Sequence, residues 1–355
     1  MLLSETLSMH NRDEFEFHVI YFLSWKTAMV SAIEKSGVPV KCFSARNNIL
    51  ILLQVFKLKR YCIDNKISLI HCHLPWAGFV GRFLFKITGI PVVYTEHNLQ
   101  ERYHWITRFL NKLTFNWQTA VIAVSKDVEQ SIRKSIHPKA EVITILNGVN
   151  TQKFVRDQAA GDALKQTLNI PTDSKVIGTI AVFRFQKRLA EWLSLAAAVH
   201  KKHHEVYFLM VGTGLLEEEL KSEAKKLGIS DRVIMPGSQA DVIPWVSLID
   251  IYLMTSKFEG LPIALLEAMS MKCAIVTTDA GGIKEVVRHG QDGLMSATDE
   301  WKTLEGHLEN LLENPDKRKA LSFAARQRIE EAFSLSVMIK AVEGLYLRVI
   351  ESRRD

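Results

Sequence analysis

The chain has few cysteines and no cysteine pattern. Its 355 residues include only Cys42, Cys62, Cys72 and Cys273, with no Cys-x-x-Cys pair and no cluster with histidines. A zinc framework needs such closely spaced Cys and His ligands. The sequence therefore predicts no metal site, and its scattered thiols are typical of a reducing compartment.

Long apolar runs are also missing. The best candidate, residues 49–56, is shorter than the roughly 18 residues that a membrane helix needs, and it runs into Lys57, Lys59 and Arg60. The first residues lack the charged-then-apolar pattern of a signal peptide. We expect a cytoplasmic protein, with the inner face of a membrane as a candidate docking surface.

A complete dinucleotide fingerprint is absent as well. Gly212-Thr-Gly214 follows an apolar run, but Glu217 stands where the third glycine of a dehydrogenase would be. The two glycines instead indicate a tight turn between a strand and a helix, where the backbone can approach a nucleotide.

Charge is unevenly distributed along the chain. Residues 1–165 hold 21 Lys and Arg against 13 Asp and Glu, whereas the remainder holds 24 against 26. A basic half favours an anionic partner such as a membrane surface or a phosphorylated acceptor, although a solvated basic surface is an equally good interpretation. Nucleic acid is disfavoured, because the cations are not interleaved with aromatics in a known module.

Short β-branched runs alternate with longer amphipathic stretches, which predicts an α/β protein with parallel sheets. We predict two Rossmann-like domains, covering residues 1–160 and 161–335, with the helix at 336–355 packing back on the first. The predicted strands are residues 17–22, 38–43, 69–73, 92–95, 120–124, 142–146, 176–181, 206–211, 232–235, 249–254 and 274–277.

The segment from Ser256 to Met269 is the most informative in the chain. It follows an apolar strand and enters a helix at Pro262, a residue favoured in a first helical turn. A helix start at the carboxyl end of a parallel strand is a common phosphate site. Glu259 and Glu267 flank this start and could accept hydrogen bonds from hydroxyl groups, whereas Glu267 alone would be taken for a solvated helical residue.

This segment resembles the Glu-x7-Glu signature of family-4 retaining glycosyltransferases, which have the GT-B fold of two Rossmann-like domains facing across a cleft. The similarity extends over nearly the whole chain. The other segments that resemble the family are His71-Cys-His73, Thr95-Glu96-His97-Asn98, Val124-Ser125, Asn147-Gly148-Val149, Gly212-Thr-Gly214 and Gly281-Gly282-Ile-Lys-Glu285.

The resemblance implies residue roles. Glu267 would bind the ribose and Glu259 the donor sugar, with His97 beside that sugar. The nucleotide-sugar would also contact Gly260, Leu261, Pro262, Gly212, Gly214 and Asn147. Glu259→Ala should damage transfer severely, while Glu267→Ala should mainly weaken donor binding. A strand-end histidine considered alone is more often structural.

Arg184 and Lys187 follow another predicted strand and precede a helix. In the family, an Arg and a Lys at this turn neutralise the donor diphosphate, although the usual spacing is five residues rather than three. Metal-dependent glycosyltransferases usually need an Asp-x-Asp, which this sequence lacks. The resemblance therefore implies that no cofactor or metal is required.

The family normally opens with a strand and a glycine-rich loop, whereas this sequence opens with a helical pattern at residues 1–10. We expect the strands near 17–22 and 69–73 to border an unfilled position. Either the true start lies upstream or the protein is an impaired member, and in both cases we expect poor solubility and weak transfer.

The leading hypothesis is a retaining glycosyltransferase that moves a sugar from a nucleotide-sugar to a saccharide or lipid-linked acceptor, in polysaccharide biosynthesis. The alternative is a catalytically impaired pseudo-glycosyltransferase or accessory subunit that binds a nucleotide-sugar. A related GT-B phosphorylase would be distinguished by its dependence on inorganic phosphate.

Overall fold

The computed structural model describes residues 2–27 and 29–352, without the side chains of residues 2–4. These residues form two compact units. The first runs to Asn147 and resumes at Leu335, and the second comprises Gly148–Ser334. The α/β architecture predicted from the sequence is confirmed in both.

The first unit alternates short strands with helices, numbered here in chain order. Its helices are α1 (Leu2–Met9), α2 (Val30–Lys35), α3 (Asn48–Leu53), α4 (Val55–Asp64), α5 (Pro75–Thr88), α6 (Trp105–Thr114), α7 (Lys126–Ile136) and, from the end of the chain, α16 (Leu335–Glu351), with a 3-10 turn at Gln100–Arg102. Its strands are β1 (Val19–Tyr21), β2 (Val40–Cys42), β3 (Ile70–His73), β4 (Val92–Glu96), β5 (Ala120–Ala123) and β6 (Glu141–Thr144).

These six strands form two separate parallel sheets. Within the described residues, β1 pairs with β2 alone, while β3, β4, β5 and β6 pair in that order. Ile20 of β1 and Ile70 of β3 both pack against one apolar cluster. α1 is helical as the sequence predicts, whereas the loss of a strand relative to the family stays a prediction.

The C-terminal helix completes the core of the first unit. Val342, Leu345, Tyr346 and Val349 of α16 pack against Val93, Ala120 and Ile122 on one face of the four-stranded sheet. α16 also contacts α1, where Nδ1 of His10 lies 2.8 Å from Oε1 of Glu343. The sheet therefore depends on a helix almost 200 residues away in sequence.

The second unit is a six-stranded parallel sheet covered by helices. Its strands are β7 (Val176–Ile180), β8 (Tyr207–Val211), β9 (Val233–Ile234), β10 (Ile251–Met254), β11 (Ala274–Thr278) and β12 (Leu294–Ser296). Its helices are α8 (Gln158–Thr167), α9 (Leu189–His200), α10 (Glu217–Lys226), α11 (Ile243–Leu248), α12 (Ile263–Ser270), α13 (Ile283–Val286), α14 (Leu304–Glu313) and α15 (Pro315–Ala332), with 3-10 turns at Phe185–Lys187 and Thr298–Thr303.

The order of these strands positions the candidate site. The sheet runs β12-β11-β10-β7-β8-β9, so the chain builds outward from β7 through β8 and β9, then returns to the other side of β7. A doubly wound sheet binds its ligands at this reversal of strand order, outside the carboxyl ends of the strands. In this unit the reversal lies between β7 and β10.

The boundary between the units lies earlier than the predicted residue 160. The segment after Asn147 is held by the second unit, because the Arg156 guanidinium donates to the carbonyl oxygens of Ser247 (2.7 Å) and Ile249 (2.6 Å). The buried Phe154 likewise accepts hydrogen bonds from Ser270 and Arg326 through its carbonyl. The sequence pattern around residues 154–156 does not predict either set of hydrogen bonds.

All eleven predicted strands are present, with ends that match or differ by one or two residues, and among the described residues only the three-residue β12 was missed. In the stretch 49–60 the structure has two helices, α3 and α4, on either side of Gln54. α6 begins at Trp105, where the His104 side chain caps the first turn. Among the described residues, no helix is both long and apolar enough to cross a bilayer.

Replacing Leu345 by Ala tests the role of α16 in the first unit. Leu345 is fully buried, and removing a buried leucine side chain typically costs 2–5 kcal/mol. We expect guanidinium denaturation to show a loss of about this size in the free energy of unfolding. Leu347→Ala is the control, since Leu347 lies two residues away and is 41% exposed. Equal losses from the two variants would contradict the packing of α16.

Candidate functional site

The reversal of strand order brings two predicted site residues together. Lys187 ends the 3-10 turn after β7, and Glu259 lies in the loop after β10. The Nζ atom of Lys187 is 2.6 Å from Oε1 of Glu259, and their side chains are only 18% and 12% exposed. A half-buried ion pair of this geometry is a strong, charge-assisted contact.

Hydrogen bonds tie these two loops to one another. The Thr255 hydroxyl donates to the carbonyl oxygens of Lys187 and Arg188 at 2.9 Å each. The backbone N–H of Lys257 donates to the Gln186 carbonyl at 2.8 Å. The cation and the carboxylate are therefore placed by backbone contacts as well as by their own attraction.

A third loop, after β11, supports Glu259 from behind. Gly281 has a φ of +58°, and a β-carbon on it would meet the Glu259 carbonyl oxygen at 2.0 Å. The N–H of Gly282 donates to the Gly260 carbonyl at 2.9 Å. Only glycine combines this conformation with so close an approach, which gives the Gly281-Gly282 pair a physical reason.

Gly212 and Gly214 have a similar task on the other side of β7. A β-carbon on Gly212 would meet the Ala181 carbonyl oxygen at 1.9 Å, and one on Gly214 would meet the Phe183 carbonyl oxygen at 2.4 Å. The glycines allow the loop after β8 to pack on the loop after β7. The atoms closest to these two glycines are thus backbone atoms of Ala181 and Phe183, and contact with a nucleotide stays a prediction.

α12 begins immediately after Gly260-Leu261-Pro262, with Pro262 as its N-cap. Glu267 lies within this helix and is 4% exposed, so it is not the solvated helical residue that its sequence position alone would suggest. A carboxylate buried to this degree requires polar partners. The role of Glu267 in binding the ribose stays a prediction.

The two predicted cations occupy different environments. Lys187 is half-buried in its pair with Glu259, whereas Arg184 is exposed at the start of the same 3-10 turn. Arg188, which sequence reasoning left out, donates to the Thr298 carbonyl at 2.5 Å. The geometry thus gives Lys187 a fixed position and leaves the Arg184 side chain on the surface.

In the first unit, the predicted residues lie at the carboxyl edge of the four-stranded sheet. His97 follows β4, and its Nε2 is 3.2 Å from Nδ1 of His73 at the end of β3. Burial lowers the pKa of His97 to about 4. Burial and the neighbouring His97 lower the pKa of His73 to about 3. Both imidazoles are therefore neutral at pH 7.

His71, two residues before His73, joins the pair to α16. Its Nδ1 is 2.5 Å from the Tyr346 hydroxyl, and its Nε2 is 2.7 Å from the Thr95 hydroxyl. The rings of His71 and His73 are 4.4 Å apart. Asn147, also predicted from the sequence, is buried beyond β6 at the end of this unit's first segment.

Three features of the site were missed from the sequence. Phe185 and Phe258 make an edge-to-face pair, with centroids 5.8 Å apart, beside Lys187 and Glu259. His73 contacts His97. The third is Glu96, a fully buried carboxylate directly before His97. Its position within the Thr95-Glu96-His97-Asn98 segment was the available signal, although the resemblance implied a role only for His97 there.

Among the described residues, no group of three or more His, Cys, Asp or Glu side chains is arranged to hold a metal ion. The charged groups gathered at the reversal of strand order are a lysine and a glutamate. This arrangement can bind an anion next to a hydroxyl-bearing group.

Comparisons with known proteins agree with this geometry. Residues 8–153 match the family model for Glycosyltransferase Family 4, and residues 161–328 match the model for Glycosyl transferases group 1. The two matches together span most of the chain and divide it close to the boundary between the units.

The chain is also similar in sequence to individual characterised proteins over most of its length. The chain is 23% identical to the UDP-Gal:alpha-D-GlcNAc-diphosphoundecaprenol alpha-1,3-galactosyltransferase of Escherichia coli, covering 89% of this chain and 84% of that one. It is 25% identical to the N-acetyl-alpha-D-glucosaminyl L-malate synthase of Bacillus anthracis, covering 84% and 79%.

Among solved structures, HepE from Anabaena in complex with UDP-glucose superposes with a TM-score of 0.86 at 21% identity, covering 98% of this chain and 95% of that one. A sucrose-phosphate synthase from Thermosynechococcus elongatus has a TM-score of 0.76 at 18% identity, covering 94% and 81%. The chain is therefore a glycosyltransferase with the GT-B fold, and it belongs to the family-4 glycosyltransferases that these models describe.

Proposed function

We propose that this enzyme transfers a sugar from a nucleotide-sugar, most simply a UDP-sugar, to a lipid-linked or saccharide acceptor with retention of configuration. The contact between Lys187 and Glu259 at the reversal of strand order carries the proposal. A UDP-glucose complex of HepE and a UDP-galactose-dependent relative support the choice of donor.

The donor would be recognised from both ends. Glu259 would accept hydrogen bonds from sugar hydroxyls, and Glu267 would accept them from the ribose. The diphosphate would lie near Gly260, Leu261 and the start of α12, where backbone N–H groups and the helix dipole favour negative charge. Pro262 has no N–H and shapes the loop instead.

Lys187 would then neutralise the leaving diphosphate, with Arg184 able to reach it from the surface. Cations that stabilise charge developing on a leaving group can take the place of a metal ion. The Lys187 ammonium is already held at a fixed position by Glu259. We therefore propose that transfer needs no divalent metal.

His97 would donate a hydrogen bond to the donor sugar as a neutral imidazole. The low pKa of about 4 supports this role, since the ring keeps one N–H and one bare nitrogen throughout the physiological range. If His73 donates from Nδ1 to Nε2 of His97, the remaining proton of His97 is on Nδ1 and can face the sugar.

The first unit also has a surface that fits an anionic membrane. Trp105, Phe109 and Leu113 form a stripe along α6 and are 70%, 62% and 60% exposed, so this stripe does not face the core. Arg108 and Lys112 lie on the same helix. Exposed apolar side chains flanked by cations are the features of a helix that lies in a membrane interface.

A second stripe of this kind runs along α3 and α4. Ile49, Leu53 and Phe56 are 70%, 60% and 71% exposed, and Lys57, Lys59 and Arg60 follow them. The cationic balance of this half of the chain favours attraction to anionic lipid. We propose that both stripes dock on an anionic bilayer, which would bring the enzyme to a lipid-linked acceptor.

A thermal-shift screen with UDP-, GDP- and ADP-sugars in EDTA tests the donor site. A bound donor raises the apparent melting temperature by mass action. We expect Glu267→Gln to reduce this shift and Glu259→Gln to retain it while losing turnover. Glu218→Gln, at a largely exposed glutamate of the same unit, is the control. A shift that appears only after a divalent metal is added would refute metal independence, and binding without any turnover would favour the impaired alternative.

Gly281→Ala tests the support behind Glu259. The added β-carbon would collide with the Glu259 carbonyl and should move the carboxylate, so we expect a loss of turnover of about 10²-fold, as for a misplacement near 1 Å. Gly290→Ala is the matched control, because Gly290 has a φ of +77° but open space around it. Both variants carry left-handed strain, and only the first should lose activity.

Co-sedimentation with vesicles tests the membrane surface. We expect binding to anionic vesicles at low salt, weakened by Phe109→Ser and by high salt, which screens the cations. Phe323→Ser provides the control, since Phe323 is 61% exposed in the second unit, against 62% for Phe109. Equal binding to neutral and anionic vesicles would remove the proposal.

A further inference from the structure

Glu96 is a charged residue in the least solvated part of the first unit. It ends β4, has no exposed surface, and accepts five hydrogen bonds. Isolated buried carboxylates are strongly disfavoured, and they persist only where donors and cations compensate for lost water. Here, some of the donors that compensate for lost water belong to the segment that carries His97.

Two of the five donors are backbone N–H groups of that segment. Oε1 of Glu96 accepts from the N–H of His97 at 3.0 Å and from the N–H of Asn98 at 3.2 Å. The same oxygen accepts from the Tyr103 hydroxyl at 2.5 Å. The carboxylate thereby holds the backbone of the turn at which the chain leaves β4.

The other oxygen ties this turn to the helices behind it. Oε2 accepts from Nε2 of Gln100 at 2.5 Å and from the Tyr94 hydroxyl at 3.2 Å. The side-chain oxygen of Gln100 then accepts from Nδ2 of Asn111 on α6 at 3.0 Å. Oδ1 of Asn111 accepts in turn from Nη1 of Arg82 at 2.8 Å.

Arg82 closes this network from α5. It is fully buried, and its guanidinium lies over the rings of Tyr94 and Phe115 at about 5 Å from each centroid. Burial raises the pKa of Glu96, while the hydrogen bonds from Tyr103, Asn98 and Gln100 and the Arg82 cation oppose that rise. A continuous set of buried polar contacts therefore runs from Arg82 to the backbone of His97.

We propose that Glu96 is the positioning residue for His97, holding the loop after β4 so that the imidazole stays in its working orientation. This inference rests on the role given to His97 in the proposed function. A carboxylate suits the task, because it accepts at both oxygens and donates at neither. An amide in its place would point N–H groups at one set of these donors.

A double-variant cycle separates positioning from mere stabilisation. The measured quantity is release of nucleoside diphosphate from the sugar nucleotide that gives the largest thermal shift. We expect Glu96→Gln to lower kcat by about 10²-fold, with KM for the donor changed as it is by His97→Ala. Because Glu96 acts through His97, adding Glu96→Gln to His97→Ala should cause no further loss.

Thr114→Val provides the control. Thr114 accepts a hydrogen bond from Arg82 at 3.1 Å and lies in the same buried network, but it is not one of the five donors to Glu96. The Thr114→Val variant should have a lower melting temperature. Its kcat should stay within about 2-fold of that of the unaltered chain, which is a change in activation free energy below about 0.5 kcal/mol. If Glu96→Gln is insoluble, Tyr103→Phe, which removes one of the five donors, takes its place in the cycle with a smaller loss.

Hydrogen exchange gives a readout that needs no turnover. Glu96→Gln should accelerate exchange at the amides of His97 and Asn98 and leave the amides of β5 protected, whereas Thr114→Val should not. Additive losses of kcat in the cycle, or unchanged exchange at His97 and Asn98, would overturn the inference. Full activity of His97→Ala would instead overturn the role of His97 in the proposed function.

Discussion

At the carboxyl edge of the second unit's sheet, two glycines lie too close to a backbone carbonyl to carry a side chain. A β-carbon on Gly281 would lie 2.0 Å from the Glu259 carbonyl oxygen, and one on Gly212 would lie 1.9 Å from the Ala181 carbonyl oxygen. These two close approaches pack the loop after β11 on the loop after β10, and the loop after β8 on the loop after β7. Hydrogen bonds from Thr255 and Lys257 join the loops after β7 and β10. The contact between Lys187 and Glu259 depends on that packing. A cation and a carboxylate are thereby set side by side next to the start of α12 before any ligand contributes.

In the first unit, polar groups rather than glycines hold the loop of the candidate site in place. The loop that carries His97 is held by a buried carboxylate, Glu96, and the imidazole itself contacts His73. Burying these polar groups costs free energy unless each buried polar atom has a hydrogen-bond partner. The polar contacts also connect the loop to α6, whose opposite face carries exposed Trp105 and Phe109.

Much of the fold could be predicted from the sequence because the strands are short, apolar and separated by amphipathic helices. The pairing of Lys187 with Glu259 was implied only loosely, since the two residues are 72 positions apart and meet through strand order. Arg156 donates hydrogen bonds to three distant carbonyls of the second unit. These contacts place its segment in the second unit, although it lies before the predicted boundary at residue 160. Glu96 was missed because a charge between a threonine and a histidine looks solvent-facing, and its burial follows from Arg82 and Tyr94 packing behind it.

The central claim is that the second unit binds a donor diphosphate through Lys187 at the reversal of strand order. Calorimetric titration of the full chain with the sugar nucleotide chosen by thermal shift, in EDTA, tests it most directly. We expect Lys187→Met to raise the dissociation constant by about 10- to 100-fold, the value of a hydrogen bond to a charged group, and Arg184→Met to raise it less. An unchanged dissociation constant for Lys187→Met would contradict the account.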